Sequence, residues 1–89
     1  MFKVKDPEMG IQAARAVVED AQAFNNAVVS SKVYQSATDP NLITQRIIWT
    51  SLVQAKAAFA ASEGFANMGT LMGQITEQVS FDHFYHVNQ

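Results

Sequence analysis

Cysteine is missing altogether from this 89-residue chain. Its absence rules out disulfides, thiolate nucleophiles and Cys-ligated zinc or iron–sulfur centres. Charge is scarce too: 16% of the residues are Asp, Glu, Lys or Arg, against about 25% in an average globular protein. The six basic residues (Lys3, Lys5, Arg15, Lys32, Arg46 and Lys56) are scattered, and the net charge is −2. Neither feature suits a nucleic-acid binder, which concentrates cations and interleaves them with aromatics. No apolar run reaches the roughly 20 residues of a membrane span, and no signal-peptide core opens the chain. A cytoplasmic protein without a membrane partner is therefore the expectation. Gly64, Gly69 and Gly73 form neither a G-x-G-x-x-G nor a Walker loop. The carboxylates are too dispersed to cage calcium or magnesium, so no metal or cofactor is expected.

What is present is enough for one domain over residues 1–89. A chain this short buries about 60–65% of its unfolded surface, which leaves a thin stability margin. Met1–Lys5 alternates with a period of two, as a short strand does. Asp6-Pro7-Glu8 has the chemistry of a helix start: a capping carboxylate, a proline at the first turn and an acid at the positive end of the dipole. Ala14, Val17, Val18, Ala21, Phe24 and Val28 then fall on one helical stripe, opposite Gln12, Arg15, Glu19, Gln22 and Asn26. Asn25-Asn26 suits a left-handed stop.

Val28–Ser36 reads as a second strand and Ala37–Asn41 as a turn, followed by an Ile- and Thr-rich strand over Leu42–Trp49. Ser51-x-x-Gln54 is a capping box that opens a second helix, with Leu52, Ala55, Phe59 and Ser62 inward. Ser62-Glu63 can start a further turn or two, bringing Phe65, Met68, Leu71 and Met72 inward, with Gly73 as a stop. Ile75–Val87 alternates again as one last strand. Strand, helix, hairpin, helix, strand is the β-α-β-β-α-β order of an α+β domain, with two helices on one face of a four-stranded antiparallel sheet.

The other sheet face is not polar. Alternation sets Val29 and Val33 against Val28 and Tyr34 on the second strand, and Ile43, Ile47 and Trp49 against Leu42 and Ile48 on the third. On the last strand it sets Val79, Phe81 and Tyr85 against Phe84 and His86. A sheet wetted on one face alternates more cleanly than this. An apolar face without helices calls for a partner, and the simplest is a second copy, sheet on sheet.

The run Ala37-Thr38-Asp39-Pro40-Asn41, a strand closed by Trp49, and Ser51-Leu52-x-x-Ala55-x-x-x-Phe59-x-x-Ser62 together resemble the dimeric α/β-barrel superfamily. The closest likeness is to its small members related to antibiotic-biosynthesis monooxygenases. The resemblance implies a ferredoxin-like protomer in a homodimer, with an interior able to hold a small organic molecule. It also implies cofactor-independent oxygenation as one chemistry, with ligand sensing or a purely structural dimer as the others.

The candidate site residues follow from both readings. His83 and His86 are the only imidazoles, each a possible proton-transfer group. Three apart on a strand, they point to opposite faces and cannot share a metal. Tyr34 and Tyr85 offer a ring with a polar tip, Trp49 a stacking surface or a core plug. Arg46 and Lys32 sit mid-strand, where a cation needs a carboxylate such as Asp82 or Glu77, or else an anionic ligand.

Overall fold

The computed structural model describes residues 1–78 and 82–85. Asp6 opens the first helix as its chemistry predicts: its Oδ1 accepts the Met9 N–H at 3.2 Å, and Pro7 occupies the first turn. The short strand β1 (Phe2–Val4) leads into this helix, α1 (Pro7–Asn25). Asn26 ends it in the left-handed region at φ 53°, its N–H donating to Gln22 O. Two strands follow, β2 (Val28–Gln35) and β3 (Leu42–Trp49). The turn between them is built from side chains: Ser36 Oγ accepts from Asp39 N–H and Asp39 Oδ1 from Asn41 N–H. Ser51 then caps α2 (Leu52–Ala61) through the Gln54 N–H. Ser62–Gly64 forms a single 3₁₀ turn, and α3 (Met68–Gln74) and β4 (Ile75–Gln78) follow, then β5 (Asp82–Tyr85).

Among the described residues three helices and five strands replace the two and four expected from the pattern, within the α+β class. The sheet order is β2-β3-β1-β4 with antiparallel neighbours, and β5 pairs with β3 in parallel. The single last strand read over Ile75–Val87 is corrected here. β1 pairs β3 only at Leu42 and Ile43, so the same edge of β3 from Arg46 to Trp49 remains open to pairing. The chain runs beside β1 as β4 and then takes that open edge as β5, which satisfies backbone groups that β1 does not reach. Val79, Phe81 and His86, assigned to faces from alternation, and the strand end at Val87 lie outside the described residues.

A second correction concerns β2. Its register shifts between Val28 and Ser30, so Val28 lies opposite Trp49 and Ser30 opposite Ile48. The bulge turns Val28 to the helix side, where it packs on the core, and leaves Val29 half exposed, the reverse of unbroken alternation. Gln22 makes the bulge affordable: its Oε1 accepts the Val28 N–H at 2.7 Å, and its Nε2 donates to Asn26 Oδ1. Gln22→Ala is expected to cost about 1 kcal/mol, because it strands a partly buried N–H. Gln22→Glu keeps the acceptor and should cost less. Urea unfolding of the two variants side by side checks the order.

The helices cover one face. Phe2, Val4, Ala13, Ala14, Val17, Ile43 and Leu71 form one buried cluster. Val18, Ala21, Ala27, Ile47, Trp49, Ala55 and Ala58 form another, and Phe65 packs against both. The inward stripe of α1 holds except at Phe24, which is half exposed and meets Phe65 ring to ring at 5.9 Å. The end of α3 is tied back to the start of the chain: Lys5 N–H donates to Gln74 O, and Asp6 N–H to Gln74 Oε1. Among the described residues no helix is long and apolar enough to cross a membrane.

Candidate functional site

Between the helices and the covered face of the sheet lies a cavity of about 270 Å³, with lining drawn from both core clusters. Its origin is visible in side-chain size. Ala21 on α1 and Ala58 on α2 face the sheet where larger residues would fill the space. Voids much larger than a water molecule are few in a close-packed domain. Val17, Val18, Ile47, Phe65, Met68, Leu71 and Met72 make the wall apolar. The polar groups that reach it are Gln45, Ser62, His83 and the Trp49 indole. Among the described residues none in the lining is a carboxylate, a lysine or an arginine.

Trp49, Phe59 and His83 form one aromatic group in the wall. Phe59 stands edge-on to both neighbours, with ring centroids 5.8 Å from Trp49 and 4.7 Å from His83. Trp49 Nε1–H donates to His83 Nδ1 at 3.4 Å, a long bond by ordinary standards. In this contact the indole N–H donates and the imidazole Nδ1 accepts. The rest of the wall is more closely held: Ser62 Oγ–H donates to Phe59 O at 2.8 Å. Gln45 is 6% exposed, and its Nε2 donates to Ala14 O of α1 at 2.7 Å.

The residues singled out from sequence divide across the sheet. Trp49 and His83 line the cavity. Tyr85 pairs in register with Trp49 at the β5 edge, is 43% exposed, and does not line it. Lys32, Arg46 and Tyr34 lie on the uncovered face, where Lys32 stands directly opposite Arg46, and Tyr34 opposite Thr44. The Arg46 guanidinium lies 5.5 Å from the centre of the Phe84 ring, and Asp82 is its register partner on β5. Glu77 instead pairs in register with Lys3, whose Nζ is 3.5 Å from Asp39 Oδ2. His86 lies outside the described residues. A base and cationic positioners acting on one ligand are thus not brought together, because Arg46 and His83 belong to opposite faces.

Gln45 enters the site unannounced by any motif, whereas Ser62 lies on the inward stripe read for the second helix. Strict alternation along Ile43, Gln45, Ile47 and Trp49 carried the signal for Gln45: a carboxamide on the inward side of a strand must find a partner there. No family model matches the chain, and no curated protein or solved structure is significantly similar to it.

Proposed function

We propose that the cavity binds a small, uncharged organic molecule, and that the chain is a ferredoxin-like protomer of a dimeric α/β barrel. The observation that carries the binding reading is the apolar cavity of about 270 Å³ with the His83 imidazole in its wall. The antiparallel order β2-β3-β1-β4 supports the ferredoxin-like reading, since two interlocked βαβ units produce it. The uncovered face supports the second copy. Val29, Tyr34 and Phe84 are about half exposed there, and Lys32 faces Arg46 across two strands. Like charges directly opposite are unfavourable. Two-fold packing of this face would set the cationic β2–β3 half of one protomer against the Glu77 side of the other.

The chemistry we propose is cofactor-independent monooxygenation, with His83 as the base. An acidic CH₂ group loses a proton to the imidazole, and the carbanion reduces molecular oxygen to a bound hydroperoxide. Loss of water then leaves a carbonyl, so R₂CH₂ and O₂ give R₂C=O and H₂O. The protein contributes orientation and an apolar wall. For His83 to accept the proton at Nδ1, its bond from Trp49 must open. The same bond favours a second reading, a non-catalytic binding module in which His83 and Trp49 only shape the wall.

Oxygen uptake with anthrone as substrate separates the two. As an enzyme, the protein should exceed the protein-free rate, and His83→Ala should lower its turnover about 10²–10⁴-fold, as loss of a general base does. Unchanged turnover in the variant removes His83 from the mechanism. Anthrone binding without oxygen uptake leaves the binding module. Native mass spectrometry tests the assembly: twice the 9.8 kDa chain mass is expected, and a monomer at micromolar concentration overturns the barrel.

A further inference from the structure

Gln45 is the only buried polar residue among the described residues, at 6% exposed, and it lies in the cavity wall. Its orientation is fixed by chemistry. Ala14 O can only accept, so the carboxamide atom 2.7 Å from it must be the NH₂ nitrogen, and the oxygen points elsewhere. That oxygen accepts no hydrogen bond from any described residue. It is not sealed in, as the unpartnered Asn25 Oδ1 is, so it reaches space that water or a ligand can enter. A hydrophobe would suit the strand pattern around it, which is hydrophobic at Ile43, Ile47 and Trp49.

We infer that Gln45 sets the specificity of the cavity: its Oε1 is the acceptor for a hydroxyl or N–H donor on the bound molecule. The inference rests on the binding reading above and narrows it to neutral, mostly apolar molecules that carry a hydrogen-bond donor. The placement fits a planar ring system. Ile47 pairs in register with His83, and Gln45 is two residues from Ile47 on the same face. With about 4.8 Å between strands and about 3.3 Å per residue along them, such a diagonal is roughly 8 Å, about the span of a fused bicycle. A molecule with its donor on Gln45 would extend along the sheet toward the Trp49, Phe59 and His83 rings. The bond from Nε2 to α1 keeps the carboxamide from swivelling, so the acceptor is held in place before the ligand arrives.

The test is a pair of bicycles of nearly equal shape, indole with an N–H and indene without one, titrated into the full chain by calorimetry. Indole is expected to bind about three- to tenfold more tightly than indene, the worth of one neutral hydrogen bond. In Gln45→Met the preference should fall to about one while indene binding persists. Equal affinities in the wild-type protein overturn the inference and leave the cavity reading standing, since indene alone reports the cavity. If neither bicycle binds, the cavity reading fails and takes the inference with it. Should Gln45→Met fail to fold, the wild-type ratio still decides. Side-chain amide NMR of the wild-type protein gives a second reading, in which indole but not indene must shift the Gln45 carboxamide.

Discussion

Trp49→Ala is expected to lower the unfolding free energy by about 3–5 kcal/mol, the range for removing a large buried ring. The residue is 2% exposed at the end of β3. Its loss removes three things at once: contact with the alanines of α2, the edge-on stack with Phe59 and the hydrogen bond to His83. A domain of this length has a total stability of roughly 4–13 kcal/mol, so the variant would stand near the edge of folding. Guanidinium unfolding followed by far-UV circular dichroism is the measurement, because the substitution removes the only tryptophan. Trp49→Phe keeps most of the ring area and loses the N–H, and should cost clearly less. A loss below about 1.5 kcal/mol for the alanine variant would mean that the second core cluster collapses around the gap. The existing cavity beside it makes such relaxation harder, because the neighbouring alanines have little reach.

The parts of this architecture that could be read from sequence were those specified by local chemistry. Asp6, Pro7 and Asn26 delimit α1 without help from the rest of the chain. Ser51 does the same for α2, and Ser36, Asp39 and Asn41 for the turn. What escaped sequence reading depended on pairing at a distance. A period of two cannot reveal that β1 meets β3 at only two positions, yet that shortfall is what divides the last strand in two and brings His83 beside Ile47. Nor can it reveal the bulge after Val28, which is held by Gln22 from the preceding helix. The site suffered from the same limit. Trp49 and His83 could be picked out by residue type, and they line the cavity. Arg46, Lys32 and Tyr34 could be picked out in the same way, but which sheet face holds a cavity depends on where the alanines of α1 and α2 leave room.

Gly10→Ala provides the other large effect, and its sign runs against the usual rule. Gly10 lies within the first turns of α1, at an ordinary helical position without positive φ. Helix propensity alone favours alanine there by about 1 kcal/mol. The space forbids it: a Cβ on Gly10 would lie 2.7–2.8 Å from Val4 Cγ1, Cβ and Cγ2. Val4 is 2% exposed in β1, and its β-branched side chain has no flexible end to swing away. Either α1 must lift from β1 or Val4 must shift, and overpacking of this kind costs about 1–3 kcal/mol. The net expectation is destabilisation despite the better helix former. A double-mutant cycle isolates the cause. Val4→Ala alone opens a gap in the first core cluster and destabilises, but combined with Gly10→Ala it removes two of the three clashing atoms, Cγ1 and Cγ2, and leaves only the Cβ contact at 2.8 Å. The pair should therefore be more stable than the sum of the single changes by at least about 1 kcal/mol. Additive costs would place the penalty elsewhere in α1 and show that the close approach of the helix to β1 is not what keeps glycine at this position.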